Sequence, residues 1–508
     1  MATSFLLLCL ATVFGLSSGV VLSCDGSCSC NLTTGTINNC SDVTDFPDTF
    51  PNASSIQELY IVGNNITVLN SKLHIFESLK QFVITSSGVE IIQNNTFRGM
   101  GKLQHISLTR NSIVFIRHGT FADLPELQGL VLSHNDISTL DAHSVWNMSN
   151  LIDIDLSYNK ITHLFSASFG PLPSVTILDL GYNRLRFVTD IALKNFPSLT
   201  NLVLTGNRIK TLNAFDFAHC SSLKSLHLSN NQINIISDKA FLSNATGKGL
   251  KINQLYLENN QLTEFPPLND LNRLLSLLIS RNSIDSIPSD AMIGLSGLRY
   301  FHMTYDRALS DIEPGVFRKS KSLINVLLND NPRLKNLPDG LFANQKLLHT
   351  LFLGNCSLTA FPESLGSWEN LKFLSIVNNS FHCDCSMKWL SKPHYWNRSW
   401  KTADLMCASP PELDNRSVLE LDDSVLPCVD HTAVSNRVRN GIIFAIVTIV
   451  LIAIVALVIR FRRTVVLRWR YYRYARQTDD VPFTVDNEYS DYPSGKRKLR
   501  MSDLERDT

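Results

Sequence analysis

The sequence lacks the features that mark most enzymes and nucleic-acid-binding proteins. Acidic and basic residues are nearly equal in number, 45 against 46 in 508 residues, so no overall field points to nucleic acid. The 13 histidines are scattered, no glycine-rich phosphate loop opens a helix, and no kinase signature is present. The one match to a nucleophile-elbow pattern, GLSSG at 15–19, has no strand and helix around it. The sequence therefore predicts neither an enzyme nor a bound cofactor.

A 24-residue period organises the middle of the chain. The segments LIDIDLSYNKI, VTILDLGYNRL and LTNLVLTGNRI place Asn159, Asn183 and Asn207 24 residues apart, each after two alternating apolar residues. Alternate residues of a strand face one side, so the apolar residues point inward, and the asparagine amide satisfies backbone groups where the strand ends. One such unit cannot bury its own leucines, so the units must stack. This pattern is typical of the leucine-rich repeat.

The same register extends over much of the chain. We identify fourteen repeats, whose first core positions are Leu59, Phe82, Ile106, Leu130, Ile154, Leu178, Leu202, Leu226, Leu255, Leu277, Phe301, Val326, Leu351 and Leu374. A second series with this period predicts an apolar spine on the convex side: Phe97, Phe121, Val145, Phe169, Leu193, Phe217 and Phe241. We predict an α/β leucine-rich repeat solenoid over residues 56–381, a horseshoe with a parallel β-sheet on its concave face.

Some repeats depart from the pattern at or after the asparagine, which we call the ladder position. Three repeats hold another residue there: Ser87, Asp306 and Cys356. The segments YDRAL and DNPRL contain one extra residue after it, and SNATGKG at 243–249 is a polar insertion expected on a surface loop. These departures are either drift in a tolerant scaffold or places where repeats change curvature or contact a partner.

Segments typical of a surface protein flank the array. Residues 1–23 contain the apolar run FLLLCLATVFGL, which is too short to span a bilayer and indicates a secretory signal peptide, cleaved after Gly19 or Ser23. Residues 441–459 carry no charge and as a helix span about 28 Å, enough to cross a membrane. Seven arginines follow within seventeen residues. This excess predicts that residues 460–508 are cytoplasmic and that the N-terminus is extracellular.

Cysteines cluster at both ends of the array. They are Cys24, Cys28, Cys30 and Cys40 before the first repeat, and Cys383, Cys385, Cys407 and Cys428 after the last. The exposed ends of a solenoid core need caps, and small caps outside the cell need disulfides. We predict an N-terminal cap at 24–55, a C-terminal cap at 382–428 and a juxtamembrane stalk at 429–440. Zinc binding by His382, Cys383 and Cys385 is an alternative that a preceding signal peptide disfavours.

The segments FHCDCSMKWL and CASPPELDNRSVLEL closely resemble the C-terminal cap of Toll and Toll-like receptors. The resemblance covers residues 24–428 and implies the disulfides Cys24–Cys30, Cys28–Cys40, Cys383–Cys407 and Cys385–Cys428. The sequence departs from that family after the predicted span, where 49 largely polar residues stand in place of a TIR signalling domain. The resemblance therefore implies a receptor or co-receptor at the plasma membrane that lacks its own signalling domain. A cell-adhesion or neuronal guidance protein is the alternative.

Eleven N-x-S/T sequons precede the predicted span and indicate a glycoprotein. We predict glycans at ten of them: Asn31, Asn52, Asn65, Asn94, Asn147, Asn244, Asn355, Asn378, Asn397 and Asn415. The eleventh, Asn39, flanks a cap cysteine. No sequon falls between Asn147 and Asn244, so the central repeats are the best place for a protein partner, which a bulky glycan would exclude.

The variable strand positions of these central repeats give a candidate ligand-binding surface. Its residues are Asp153, Asp155, Asp179, Tyr158, Tyr182 and His227. The aspartates form an acidic spot on two adjacent strands, and tyrosines commonly anchor interfaces. The pattern predicts docking of a protein or microbial ligand with a basic or polar patch. An ordinary solvated sheet face is the alternative.

The segment after the predicted span alternates arginine with tryptophan and tyrosine, which suits an anionic lipid surface rather than nucleic acid. The remaining tail is polar, and we expect it to be disordered. Tyr489 and Tyr492 lie among acidic residues and are candidate phosphotyrosines, or else incidental tyrosines of a solvated tail. A co-receptor in the same membrane is a further expected partner.

Overall fold

The computed structural model describes residues 21–24, 28–31, 33–50, 52–188, 190–243, 246–391, 405–421, 425 and 431–477. They belong to two compact units, one within residues 1–427 and one within 428–508. Several sequence predictions lie outside the described residues: those for residues 1–20, Asn244, Asn397, Cys428, Tyr489 and Tyr492.

The first unit is a solenoid in which each repeat adds one strand to a large sheet. The fourteen repeat strands are Glu58–Val62, Gln81–Thr85, His105–Ser107, Gly129–Val131, Asp153–Asp155, Ile177–Asp179, Asn201–Val203, Ser225–His227, Gln254–Tyr256, Ser276–Leu278, Tyr300–His302, Asn325–Leu327, Thr350–Phe352 and Phe373–Ser375. Neighbouring strands are parallel, and each predicted first core position lies opposite its equivalent in the next repeat. These fourteen residues are buried, so the predicted register is confirmed.

The ladder asparagines connect each repeat to the one before it. The Nδ2 atom of Asn159 donates to the carbonyl oxygens of Leu132 in the preceding repeat and Leu156 in its own, both at 3.0 Å. Its Oδ1 atom accepts from the amide of Ile137 at 2.9 Å. Asn183 makes the equivalent bonds one repeat further on. The side chain thus satisfies buried backbone groups that the strands leave unpaired, as the sequence predicted.

The opposite side of the solenoid carries the predicted apolar spine, whose seven members are all buried. The ring centroids of Phe97 and Phe121, for example, are 5.4 Å apart. Short parallel strand pairs also run along this part of the solenoid: Val68–Leu69 with Ile91–Ile92, Phe115–Ile116 with Thr139–Leu140, Phe121–Ala122 with Val145–Trp146, Thr211–Leu212 with Ile235–Ile236, and Ser286–Ile287 with Asp311–Ile312.

The solenoid and its parallel sheet are as predicted, and helix is scarce in the described part of it. This helix consists of one α-helical turn, Asp190–Leu193, and the 3₁₀ segments Ala53–Ser55, Ser71–Ile75 and Glu363–Leu365. A repeat of 24 residues leaves too few residues outside its strand and turns for a helix of average length, about 11 residues. The fold is therefore a parallel-sheet solenoid whose outer side is built mainly from turns.

The N-terminal cap is formed by the strands Val21–Cys24, Cys28–Asn31 and Thr36–Asn38, which pair in antiparallel order. The last of them pairs in parallel with the first repeat strand, Glu58–Val62, and so extends the large sheet. A disulfide joins Cys28 to Cys40. Signal-peptide cleavage after Gly19 would leave the first of these strands whole, whereas cleavage after Ser23 would remove most of it.

The C-terminal cap covers the last repeats with aromatic side chains. Trp389 is buried, stacks on Trp368 with ring centroids 5.7 Å apart, and donates from Nε1 to the carbonyl of Phe361 at 2.8 Å. The cap also contains the strands Phe381–His382 and Cys407–Ser409 and the 3₁₀ segments Lys388–Ser391, Pro411–Leu413 and Val418–Glu420.

The described cysteines of the C-terminal cap are joined in disulfides rather than held as free thiolates. A disulfide joins Cys383 to Cys407, and Cys385 is disulfide-bonded too. Neither thiol is therefore available as a metal ligand, because zinc binds thiolates. The disulfides Cys28–Cys40 and Cys383–Cys407 have the same partners that the resemblance implies.

The described part of the second unit is a helix of 47 residues, His431–Gln477. Within it, residues Ile443–Arg470 are long and apolar enough to cross a membrane. The helix extends beyond both ends of the predicted span at 441–459, because neither flank contains a proline to stop it. Most of the predicted stalk at 429–440 is accordingly helical.

Candidate ligand-binding surface

The three predicted aspartates lie together on the exposed face of the large sheet. Asp153 and Asp155 flank buried Ile154, and Asp155 lies directly opposite Asp179 on the next strand. Neighbouring strands are about 4.8 Å apart, so the carboxylates are close. The Oδ1 atom of Asp155 accepts from the amide of Ser157 at 2.9 Å. The Oδ1 atom of Asp179 likewise accepts from the amide of Gly181 at 2.8 Å.

Partial burial of these carboxylates makes their charge costly. Desolvation raises the pKa of Asp153 to about 6, and the charge of Asp155 adds to the effect. Desolvation also raises the pKa of Asp179 to about 6, with contributions from Asp155 and Asp153, against the lowering effect of the Gly181 hydrogen bond. The ion pairs among the described residues involve none of the three aspartates. Their negative charge is therefore available to a cationic group of a ligand.

An aromatic stack lies beside the aspartates. The ring of His134 is parallel to that of Tyr158, with centroids 4.2 Å apart, and Tyr158 is parallel to Tyr182 at 4.3 Å. The two tyrosines are 44% and 45% exposed. The ring of Tyr182 lies against Gly206, where an added Cβ would be only 2.6 Å from Tyr182 Cδ1. The stack thus ends on a residue whose lack of a side chain makes room for it.

The stack belongs to a row of residues that directly precede the ladder position and share a left-handed backbone. This left-handed row is Gly63, Ser86, Arg110, His134, Tyr158, Tyr182, Gly206, Asn230, Asn259, Arg281, Tyr305, Asp330, Asn355 and Asn378. Glycine and asparagine adopt this conformation readily, whereas other residues lose roughly 1–2 kcal/mol each. Aromatic residues in three successive repeats are therefore not what the backbone prefers.

His227 does not join the aspartates. Two strand steps separate them, because Asp179 lies opposite Val203, which lies opposite His227. The His227 ring instead stacks on Tyr256, with centroids 4.2 Å apart, and burial lowers its pKa. The structure therefore divides the candidate residues into an acidic and aromatic group at repeats four to six and a separate pair at repeats eight and nine.

Sequence reasoning missed two members of these groups. His134 stands 24 residues before Tyr158, at the same repeat position, so the period contained the signal that it would stack. Tyr256 was obscured by the longer step between Leu226 and Leu255. Among the described residues, no group of three or more His, Cys, Asp or Glu side chains is arranged to hold a metal ion.

A cleft of about 660 Å³ opens further along the left-handed row. Its lining residues are Arg281, Asn282, Ser283, Tyr305, Arg307, Asp330, Pro332 and Asn355. The cleft lies where YDRAL and DNPRL each contain one extra residue, so the two irregular turns noted in the sequence are neighbours in the structure. One sequon asparagine, Asn355, lines it, and its Nδ2 donates to Asp330 Oδ1 at 2.7 Å.

Two protein-family models, both of leucine-rich repeats, match the sequence. The leucine rich repeat model matches residues 77–137, 125–185 and 197–262, and the BspA type leucine rich repeat region model matches residues 270–387. The chain is a leucine-rich repeat protein. The matches follow the strands and ladder described above and extend over most of the repeat array.

Several known proteins resemble parts of this leucine-rich repeat protein. A probable glycoprotein hormone G-protein coupled receptor of Anthopleura elegantissima is 31% identical over 127 residues, 25% of this chain and 13% of that receptor. Vasorin of Mus musculus is 27% identical over 206 residues, 35% of this chain and 30% of vasorin. The matches thus cover less than half of the length of these relatives.

The solved structures agree on the fold. The Toll structure from the Drosophila Toll–Spatzle complex superposes with a TM-score of 0.56 at 21% identity, covering 74% of this chain and 59% of that chain. Identity this low supports the solenoid fold alone. Solenoids of this kind typically act as scaffolds for protein interaction, so the surface residues decide what is bound.

Proposed function

We propose that this leucine-rich repeat protein is a single-pass cell-surface receptor or co-receptor that binds a protein or microbial ligand. The observation that carries the proposal is the central surface, where the stack of His134, Tyr158 and Tyr182 lies beside uncompensated aspartates. The aspartates and both tyrosines of this surface fall within the region that has no sequon between Asn147 and Asn244, and His134 lies before it.

The chemistry of the surface suits a ligand with a basic patch. Three carboxylates without ion-pair partners attract cationic side chains, and such complementarity speeds encounter and fixes orientation. Half-exposed tyrosines offer rigid, amphipathic contact area and are enriched among interface hot spots. Their left-handed backbone costs stability, so a contribution to binding explains why tyrosines stand at these positions.

The membrane part of the proposal rests on the long helix and on charge. Residues 443–470 are apolar enough to span a membrane, and the arginines concentrate at the C-terminal side of this segment. Such an asymmetry favours a cytoplasmic C-terminus and an extracellular solenoid. The fold is also that of Toll, which is solved in complex with Spatzle, so a protein ligand is compatible with it.

A test on intact cells addresses orientation and binding together. The full chain, with an epitope tag after the predicted cleavage site, is expressed and stained without permeabilisation. We expect surface staining, and its absence in cells that make the full-length product contradicts the proposed topology. The stained cells are then screened against arrays of cell-surface ectodomains and purified microbial products.

Ligands from this screen are tested on a variant of the central surface. Asp155→Asn combined with Tyr182→Ala should reduce binding at least tenfold. The matched control, Asp285→Asn combined with Phe115→Ala, changes an exposed aspartate and a 53% exposed aromatic residue elsewhere. Unchanged binding by the central variant, or equal loss in the control, would falsify the assignment of the ligand site.

A further inference from the structure

The cleft at repeats ten to thirteen differs in charge from the central surface. Arg281, at the turn of repeat ten, and Arg307, in the extended turn of repeat eleven, both line it and are exposed. The guanidinium carbon of Arg281 lies 5.0 Å from the centroid of the Tyr305 ring. This contact positions the guanidinium and leaves its hydrogen-bond donors available, because a cation–π interaction uses the face of the group.

The arginines of the cleft have no carboxylate partner within the described residues. The ion pairs there do not include Arg281 or Arg307. The one acidic residue of the lining, Asp330, is occupied by amides: it accepts from Asn329 at 2.5 Å and from Asn355 at 2.7 Å. The cleft therefore presents two guanidinium groups, an exposed tyrosine and polar groups that are already oriented.

We propose that this cleft, when Asn355 in its lining carries no glycan, is a second docking site, which takes an acidic segment of a partner protein. Arg281 and Arg307 would each bind a carboxylate, because the planar guanidinium matches the two oxygens of that group. The volume of about 660 Å³ lies within the range of specific ligand sites, roughly 300–1,000 Å³, and has room for a few side chains. Tyr305, 51% exposed, supplies the apolar contact beside them.

The arrangement favours a short acidic peptide over a sulfated polysaccharide. A polyanionic chain binds most tightly to long rows of basic residues. The lining of this cleft instead contains two arginines together with the acidic Asp330. A segment with one or two carboxylates can contact the arginines and keep its neutral groups near Asp330. The site also differs in sign from the acidic central surface, so the two surfaces select different chemistry.

Peptide selection on the full-length protein tests this inference. The full chain carrying Ser357→Ala, which removes the Asn355 sequon, is reconstituted in lipid nanodiscs, and a phage library of random twelve-residue peptides is panned against it. We expect cleft-binding peptides to be enriched in Asp and Glu and to lose affinity as salt concentration rises. Arg281→Glu combined with Arg307→Glu should weaken these peptides at least tenfold. The control, Arg273→Glu combined with Arg318→Glu, changes net charge equally at exposed positions outside the cleft and should stay within twofold.

Folding and competing ligands are controlled in the same experiment. Arg281→Gln combined with Arg307→Gln removes both guanidinium groups without reversing their charge. This variant should also bind the peptides more weakly, at a melting temperature equal to that of the wild type. Selection of neutral or basic peptides, equal loss in the control variant, or full binding to the glutamine variant overturns the proposal. Heparin that binds the wild type and displaces the acidic peptides from the cleft overturns it in favour of a polysaccharide. These outcomes leave the central surface untouched, because no residue is shared.

Discussion

The rings of Tyr158 and Tyr182 lie 11° from parallel with their centroids 4.3 Å apart, although 24 residues separate them in the sequence. Both residues have a φ of 53°, so each repeat delivers its ring in the same orientation at the same edge. The spacing follows from the strands, which are about 4.8 Å apart in a sheet. The stack of side chains therefore results directly from the repeat length. Insertion or deletion of one residue in either repeat would break it.

The tyrosine stack should matter for binding much more than for stability. Replacement of Tyr182 by Asn removes a ring contact that contributes about 0.5–1.5 kcal/mol to stability. It also removes the conformational cost of a tyrosine with a left-handed backbone, roughly 1–2 kcal/mol. We expect the free energy of unfolding of Tyr182→Asn to stay within about 1 kcal/mol of the wild type. Binding of a ligand found by the cell-surface screen should fall at least tenfold.

Thermal unfolding and ligand titration measure the two effects separately. Arg110→Asn is the matched control, since Arg110 occupies the left-handed row outside the aromatic stack. It should leave binding near the wild-type value and, because asparagine tolerates the left-handed backbone better than arginine, raise the free energy of unfolding by roughly 1–2 kcal/mol. A melting temperature lowered by more than about 5 °C in Tyr182→Asn would show that the stack is structural.

The ladder asparagines should carry a large share of local stability. Asn207 donates to the carbonyls of Leu180 at 2.9 Å and Leu204 at 3.0 Å, and accepts from the amide of Leu185 at 2.9 Å. Asn207→Ala leaves these buried backbone groups unpaired, at a cost of about 1–3 kcal/mol for each group that water cannot reach. We expect amide protection to fall in the repeats on both sides, since neighbouring repeats are directly coupled.

Hydrogen exchange locates this loss along the solenoid. The control is Asn230→Gly, because glycine keeps the left-handed backbone of this exposed asparagine in the next repeat. Its exchange profile should remain close to that of the wild type. Similar profiles for the two variants would contradict the structural role assigned to the ladder.

The periodic parts of the fold were predictable from the sequence because period alone determines them. The strand register from Leu59 to Leu374 and the spine from Phe97 to Phe241 follow from residues that recur at fixed steps. The long helix was predictable only in its apolar part. Its ends at His431 and Gln477 lie in polar sequence, where hydropathy contains no boundary.

The candidate site was predictable in part, for the same reason. Adjacent strands bring Asp155 opposite Asp179, and this pairing follows directly from the register. The cleft could not be foreseen, because its shape depends on how one extra residue moves the turns after Asp306 and Asn331. The ligand contacts lie at the positions that the repeat leaves free, so the pattern itself contains no information about the ligand.

The aspartate at one ladder position should destabilise the solenoid at neutral pH. Asp306 is fully buried, and its Oδ1 atom has no hydrogen-bond partner among the described residues. At the equivalent position, Asn282 Nδ2 donates to the carbonyls of Ile279 and Leu257. A carboxylate cannot donate, and burial raises the pKa of Asp306 from 3.8 to about 6. We expect Asp306→Asn to stabilise the protein by on the order of 2 kcal/mol at pH 7.5.

The stabilisation by Asp306→Asn should depend on pH in a definite direction. Because the folded-state pKa is raised, Asp306 contributes its full stability below pH 3.8 and loses it as the pH rises through 6. The advantage of Asp306→Asn should therefore be small at pH 4.5 and large at pH 7.5, as measured by thermal unfolding. Asp290→Asn, at an exposed aspartate that does not contribute to the raised pKa of Asp306, should show no such growth. A constant difference across this range would exclude titration of Asp306 as the cause.

The acidic spot should make ligand binding and stability respond to pH in opposite directions. The pKa values of Asp153 and Asp179 are both raised to about 6, so both carboxylates gain protons between pH 7 and pH 5. Protonation restores the stability that the buried charges removed, since a raised pKa favours the protonated folded state. The same protonation removes the negative charge that attracts a basic ligand. We expect affinity to fall several-fold from pH 7 to pH 5, while the contribution of these groups to stability rises.

A double variant separates this effect from titration of the ligand. Asp153→Asn combined with Asp179→Asn should bind more weakly at pH 7 and should lose most of the pH dependence between 5 and 7. Any change that remains in the variant belongs to the ligand or to other groups of the protein. If wild type and variant showed the same pH profile, the two carboxylates would have no part in binding, and the ligand would have to contact another face. Opposite trends of affinity and stability in the wild type, both weaker in the variant, are the result that the geometry requires; Asp306 accounts for stability that still rises at low pH in the variant.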